Sequence, residues 1–212
     1  HAAFVRSPYG HAAIRSIDTA AARAMPGVHA VYTGADTEAA GLGRIPAAIP
    51  FKGKNDAPMV AAPMPVLAVG RARYAGEPLA VVVADDPRRA QDAAEAVGFD
   101  LDPLPAVPDI EAATAPGAPL IWDAAPGNIS LDWGDGDAAA ADAAFAGAAH
   151  VSTVRLVDTR LAPVTMEPRA GIGAFDAGTG RFTLIAPTQG VALIRKMMAD
   201  AVFGVPLENV RI

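Results

Sequence analysis

The apolar positions of this chain fall into short runs of strand length, broken by turn residues, with a helical period in only a few places. Residues 1–6 (HAAFVR) are such a run; the turn residues Ser7, Pro8, Tyr9 and Gly10 follow, so a first strand is predicted. Asp18 stands where it can cap a short helix over residues 19–25, which Pro26 and Gly27 terminate. Residues 28–34 (VHAVYTG) alternate and carry β-branched side chains, which predicts a strand. Residues 40–65 hold five prolines and no period, and read as loop. The run LAVVVAD at 79–85 is continuously apolar, the pattern of a buried strand. Asp86 and Pro87 then open a helix with a capping acid and a proline at its first position. Ala90, Ala93, Ala94 and Val97 give that helix an apolar face, and Gly98 is placed to cap its end. GFDLDPLPAV, from residue 98, begins with alternation and predicts the next strand.

Six prolines between residues 102 and 126 remove backbone donors and stiffen the chain, so this stretch reads as a linker between two bodies. Beyond it, Asp135 or Asp137 can cap an alanine-rich helix that runs to about Gly147. Residues 151–161 alternate and predict a long strand. AGIGAFDAGTGRFTLIAP reads as two strands joined by a loop over residues 176–180, a hairpin signal. The helix after Gln189 is expected to bury Val191, Ile194, Met198 and Val202, to turn Arg195 and Lys196 to solvent, and to stop at Gly204 before Pro206. Burying that face, at roughly 25 cal/mol per Å², anchors the helix and makes the Gln189 turn before it rigid.

Composition narrows the classes that remain. The chain has 212 residues, 52% of them hydrophobic and 19% charged, the balance of a folded globular protein with one large or two smaller domains. The net charge is −6 with no basic run, so neither nucleic acid nor an anionic membrane is expected as a partner. There is no cysteine, which excludes disulfides, thiolate metal sites, iron–sulfur ligation and cysteine nucleophiles within these residues and fits a cytoplasmic home. No apolar run reaches the roughly 18–20 residues of a membrane span, and no signal peptide opens the chain. HAAFVRS lacks an initiating methionine and ENVRI reads as a strand barely begun, so a fragment of a longer polypeptide is expected.

Catalytic machinery is sparse. The four histidines are scattered, without metal-ligand spacing, and read as structural. DWGDGD lacks the residue order of a calcium loop. GIGAFD lacks the last glycine of a dinucleotide fingerprint and precedes a hairpin, not a helix. Glu167 and Arg169 read either as a salt-bridged pair beside a strand or as a catalytic pair. Gln189 stands apart: it lies at a strand-to-helix turn, one residue before a glycine and a helix start whose free amides favour anionic ligands. An uncharged amide there can donate to an oxygen ligand or accept from a heterocycle.

HAAFVRSPYGHAAIRSID, PGVHAVYTGAD, RYAGEPLAVVVAD, PGNISLDWGDGD, HVSTVRLVDTRLAPVTMEPRA and TGRFTLIAPTQG occur in this order. Together they resemble the large subunit of molybdenum hydroxylases, the xanthine dehydrogenase and aldehyde oxidase family, with the bacterial branch of aerobic carbon monoxide dehydrogenases most similar. The resemblance implies an α+β chain: an α/β hammerhead domain over 1–102, a proline-rich linker over 103–126, and the truncated start of a mixed α/β molybdopterin-binding domain over 127–212. It implies a molybdopterin-type molybdenum cofactor in the parent protein, with Gln189 matching the glutamine that approaches an oxo ligand of the metal. The implied partners are iron–sulfur and FAD subunits or domains, in a dimer of heterotrimers acting on carbon monoxide, an aldehyde or an N-heteroaromatic. The family's glycine-rich GGGFG loop and late catalytic glutamate do not occur here, so no catalytic or metal-ligating residue is assigned and these residues alone are expected to be inactive. A non-catalytic α+β binding or assembly module is the second reading.

Overall fold

The structure, a computed structural model, describes residues 1–47, 49, 51–62, 64–158 and 164–212. The first half runs through β1 (Ala2–Arg6), β2 (Ala12–Asp18), α1 (Ala20–Arg23), β3 (Val28–Thr33), α2 (Gly34–Ala39), β4 (Arg71–Ala72), β5 (Pro78–Ala84), α3 (Pro87–Glu95) and β6 (Gly98–Pro103). These strands make two three-stranded antiparallel sheets, ordered β1-β5-β3 and β4-β2-β6. Strand β5 feeds both cores. Ala80 and Val82 join Val5, Val31, Ala93 and Val97 in one cluster, while Leu79 joins Ala12, Ala68, Ala72 and Leu101 in the other. Alanines at 90, 93 and 94 let α3 lie close on the sheet, because a methyl group holds the backbones nearly in contact.

The start of α3 follows its sequence signal: Asp86 Oδ1 accepts from Arg89 N at 2.9 Å, and Pro87 stands in the first turn. Its end does not. Ala96 and Val97 donate to the Ala93 and Ala94 carbonyls, so the last turn tightens and needs no left-handed residue. Gly98 instead opens β6 opposite Asp18. The predicted helix over 19–25 shrinks to the four residues of α1, with the Asp18 carboxylate accepting from Ala20 N.

Strand β2 and helix α2 are among the elements that go beyond the sequence prediction. Strand β2 carries a bulge between Ile14 and Ser16, which breaks the period of two and sends Ile14 and Ile17 toward the same core. Helix α2 is opened by a capping box, Thr33 with Asp36, and the hydrogen bonds from the Thr33 hydroxyl and amide hold the Asp36 carboxyl below its ordinary pKa.

The proline-rich stretch lies against the first body. His11 Nδ1 meets the Pro105 carbonyl at 2.9 Å, and α4 (Ile110–Thr114) is capped by Asp109. Asn128, at φ 57°, accepts from Ile121 N and donates to the Ala113 and Pro119 carbonyls. The Arg73 guanidinium sits 3.9 Å from the centre of the Trp122 ring, and its Nε donates to the Ile121 carbonyl. Burial pushes the Arg73 pKa down, with Glu77 partly offsetting it. Arg73→Ala is expected to cost ~1–2 kcal/mol and release the tryptophan. In a Trp133→Phe background the Trp122 emission should shift to longer wavelength; an unchanged spectrum and stability would show that the stack holds nothing.

The second half contains α5 (Ala138–Gly147), the antiparallel hairpin β7 (Ile172–Asp176) and β8 (Arg181–Ile185), α6 (Val191–Met197) and β9 (Val210–Arg211), which pairs parallel to β8. Asp137 caps α5 through Ala140 N, and the helix is exposed along its whole length. In the hairpin loop, the Thr179 hydroxyl and the Gly178 amide donate to the Asp176 carboxylate, holding its pKa below the ordinary value. Phe182 stacks on Phe203 at 4.2 Å, tying the hairpin to the helical segment that follows it.

Residues 151–158 do not form the predicted strand, and residues 159–161 lie outside the described residues. Alternation lets a segment present one face to a core, but a strand also needs a neighbour's backbone. None pairs with it among the described residues, and Val154, Leu156 and Val157 are 75%, 87% and 72% exposed.

Candidate functional site

Gln189 lies in the turn between β8 and α6, and it is exposed. The turn is shaped by the Thr188 hydroxyl, which accepts from Gly190 N at 3.3 Å. Gly190 is the N-cap of α6 and supplies no side-chain acceptor, so the first helical amides have no side-chain partner. Ile194 N closes the first turn on the Gly190 carbonyl at 2.9 Å. The result is an amide side chain beside an uncapped helix start, with no charged residue in the turn itself. Such a turn can offer neutral and backbone N–H donors to an oxygen-rich group.

The helix behind the turn is anchored differently from its sequence pattern. Ile194, Met198 and Val202 are half-buried, in line with the pattern, but Val191 is 49% exposed and the fully buried position is Ala199. Arg195 is half-buried and not free in solvent: its guanidinium donates to the Val210 carbonyl at 2.6 Å and the Leu207 carbonyl at 2.8 Å. The long side chain lies along the helix and satisfies carbonyls of the segment leading into β9, a use that helical spacing alone does not reveal. Lys196 is exposed, as its position implied, and pairs with Asp200. From Met198 to Phe203 the helix widens into a π-helical turn, ending at Gly204 with φ 63°.

The other candidates separate from Gln189. Glu167 and Arg169 are exposed, and no ion pair joins them among the described residues. His11 and His29 meet the Pro105 carbonyl and the Asp85 carboxylate, and His150 meets the Ser152 hydroxyl. Among the described residues no group of three or more His, Asp or Glu could hold a metal ion. An apolar groove of about 550 Å³ runs beside Tyr32, Phe175, Phe182, Met198 and Phe203, and Gln189 does not line it. Thr188 was not singled out by its sequence position, although a threonine two residues before a glycine amide is a recognisable turn signal.

Residues 1–105 match the family model described as aldehyde oxidase and xanthine dehydrogenase, a/b hammerhead domain, and residues 121–212 match the molybdopterin cofactor-binding domain. The chain belongs to the aldehyde oxidase and xanthine dehydrogenase family. Its fold is therefore a hammerhead domain followed by molybdopterin-binding-domain sequence, a mixed α+β chain. Within this family it is 38% identical to the nicotine 6-hydroxylase large subunit of Paenarthrobacter nicotinovorans, over 89% of this chain and 22% of that protein. It is 34% identical to the carbon monoxide dehydrogenase large chain of Hydrogenophaga pseudoflava, over 100% of this chain and 26% of that protein. Reconstituted CO dehydrogenase from Oligotropha carboxidovorans superposes with a TM-score of 0.85 at 32% identity, covering 100% of this chain and 26% of that one. The chain thus spans about a quarter of the length of these family members. Among the described residues, no helix is long and apolar enough to cross a membrane.

Proposed function

We propose that this chain is part of a molybdenum-cofactor oxidoreductase subunit and that Gln189 is one of the residues that meets the cofactor. The observation that carries this reading is the exposed Gln189 amide at an uncapped helix start, within the segment that matches the molybdopterin cofactor-binding domain. The donor set fits the group: an amide N–H is neutral and directional, and the free amides of Val191, Ala192 and Leu193 lie at the positive end of the helix dipole. When bound, the cofactor supplies the redox chemistry. Gln189 holds and orients it without adding charge, and the Thr188 hydroxyl keeps the turn in the shape that presents the amide.

The domain limits we assign are 1–102 for the hammerhead domain, 103–126 for the linker and 127–212 for the molybdopterin-binding part. We place the parent protein on a small substrate, carbon monoxide, an aldehyde or an N-heteroaromatic, with electrons leaving through iron–sulfur and flavin partners in a dimer of heterotrimers. The matched family members are about four times as long, and we assign no turnover to these residues alone.

Molybdenum content and pterin fluorescence, measured on the 212-residue chain and on its full-length parent from a host that makes the cofactor, test the reading. Metal and pterin in the parent and neither in the shorter chain are expected. Neither in a folded parent would shift the assignment to a non-catalytic α+β module.

A further inference from the structure

A helix leaves its last carbonyls without partners inside the helix, and something must satisfy them. At the end of the segment that begins at Gln189, the Ala199 carbonyl accepts from Val205 N at 3.0 Å and from the Gly204 cap amide. The Val202 carbonyl is satisfied from the other half of the chain, accepting from Gly43 N at 2.7 Å. The approach is so close that a Cβ at position 43 would overlap the Ala201 carbonyl oxygen. Gly43 has no positive φ to explain it, so close passage of two backbones is the reason for glycine here. The segment after Gly43 also docks on the second half. Lys54 N donates to the Asp132 carbonyl at 2.8 Å, Val60 N to the Ser130 carbonyl at 2.8 Å, and the Lys54 ammonium pairs with Asp132 at 2.9 Å.

At its other end the helix is loosely held: Gly190 gives no side-chain cap, and Val191 and Leu193 are 49% and 50% exposed. The placement of Gln189 therefore depends on anchors further along its helix: Arg195 on the Val210 and Leu207 carbonyls, and Gly43 on the Val202 carbonyl at the far end. The π-helical turn over 198–203 sharpens the point, because it accommodates one more residue than an α-helical turn. Closing it to α geometry would rotate everything before it by about 100° and move it about 1.5 Å along the axis.

We propose that Gly43 is a positioning residue for Gln189: its backbone, reaching from the hammerhead domain to Val202, fixes the register of the helix that presents the amide. This rests on the Gln189 reading above for its functional consequence, but the register itself can be measured without cofactor or substrate. These 212 residues contain no cysteine, so in the full-length protein, with any exposed cysteine outside them replaced by serine, Asp92→Cys on α3 and Lys196→Cys on α6, both exposed, take spin labels uniquely. Electron–electron distance measurement on this pair is expected to give one narrow distribution, at least twofold narrower than with Gly43→Ala added. A broad or multimodal distribution with Gly43 in place would overturn the proposal, and that result does not depend on the Gly43→Ala chain folding.

In the cofactor-loaded full-length protein, Gly43→Ala and Gln189→Ala are expected to lower kcat/KM without adding: the double variant should be no worse than Gln189→Ala alone. Additive losses would place Gly43 on a route that does not pass through Gln189, and would overturn the positioning role. If Gln189→Ala proves silent while the distance still narrows with Gly43, the Gln189 reading fails and the helix register stands.

Discussion

Gln189→Ala in the full-length protein is expected to lower kcat/KM by about 100-fold, roughly 2.7 kcal/mol, the size of loss seen when one preorganised donor is removed from a reacting centre. The reasoning starts from the turn. Gln189 is exposed, stands directly before the Gly190 N-cap, and brings no charge to a place where the helix start already offers free amides. Truncation removes a neutral donor and leaves the turn intact, since the turn is shaped by the Thr188 hydroxyl and not by Gln189. Folding, molybdenum content and pterin content should therefore stay at the level of the unmodified protein. Gln189→Glu keeps the size and replaces the N–H donors with acceptors, so it should lose at least as much activity as the alanine variant. Steady-state kinetics with carbon monoxide, an aldehyde and an N-heteroaromatic would check both variants; full activity of Gln189→Ala would remove Gln189 from the site.

Leu79→Ala carries the largest expected effect on stability, about 2–5 kcal/mol and in the upper part of that range. Leu79 is completely buried, and its cluster consists mostly of alanines: Ala12, Ala68 and Ala72, with Leu101. A neighbour with a long side chain can swing into a cavity, but a methyl group cannot, so only Leu101, Ile14 and Ile17 can relax and much of the void stays empty. Against a usual stability of about 5–15 kcal/mol, this one side chain decides whether the first half folds at working temperature. Urea unfolding should show a lower midpoint with an unchanged slope. Leu79→Ile keeps the volume and should lose less than about 1.5 kcal/mol. A loss below 1 kcal/mol for the alanine variant would mean that the two sheets collapse onto the space.

The parts of this fold legible in the sequence are those whose signal is local. Asp86 and Pro87 announce α3, Asp137 announces α5, the glycine-rich loop over 176–180 announces the hairpin, and the continuous run ending in Ala84 announces β5. Each needs only neighbouring residues to act. The elements that escaped depend on distant partners or on a broken period. The bulge at Arg15 erased the alternation of β2, and its ion pair with Asp102 at 2.5 Å joins residues far apart in sequence. Helix α2 is six residues long, too short for a periodic signal, although Thr33 and Asp36 spell out its cap. Residues 151–158 have the alternation of a strand without the neighbour that makes one. In the candidate site, Gln189 was legible from its turn. The anchoring of its helix was not, because Arg195 reaches carbonyls near β9 and Gly43 reaches Val202 across the chain.

The pairing order of the first half has a consequence during synthesis. Among the described residues, strand β1 pairs with β5 alone and β2 pairs with β4 and β6, so the first two strands emerge from the ribosome well before these partners. At about 5–20 residues per second, the wait until Pro103 is translated lasts roughly 5–20 s. Throughout that interval β1 and β2 are apolar strand segments with open edges, the state in which nascent chains aggregate or bind holding chaperones. The two cores that share β5 then form almost together, late and cooperatively. A ribosome-bound series of increasing length should show protease protection of residues 2–18 appearing abruptly once β6 has cleared the exit tunnel.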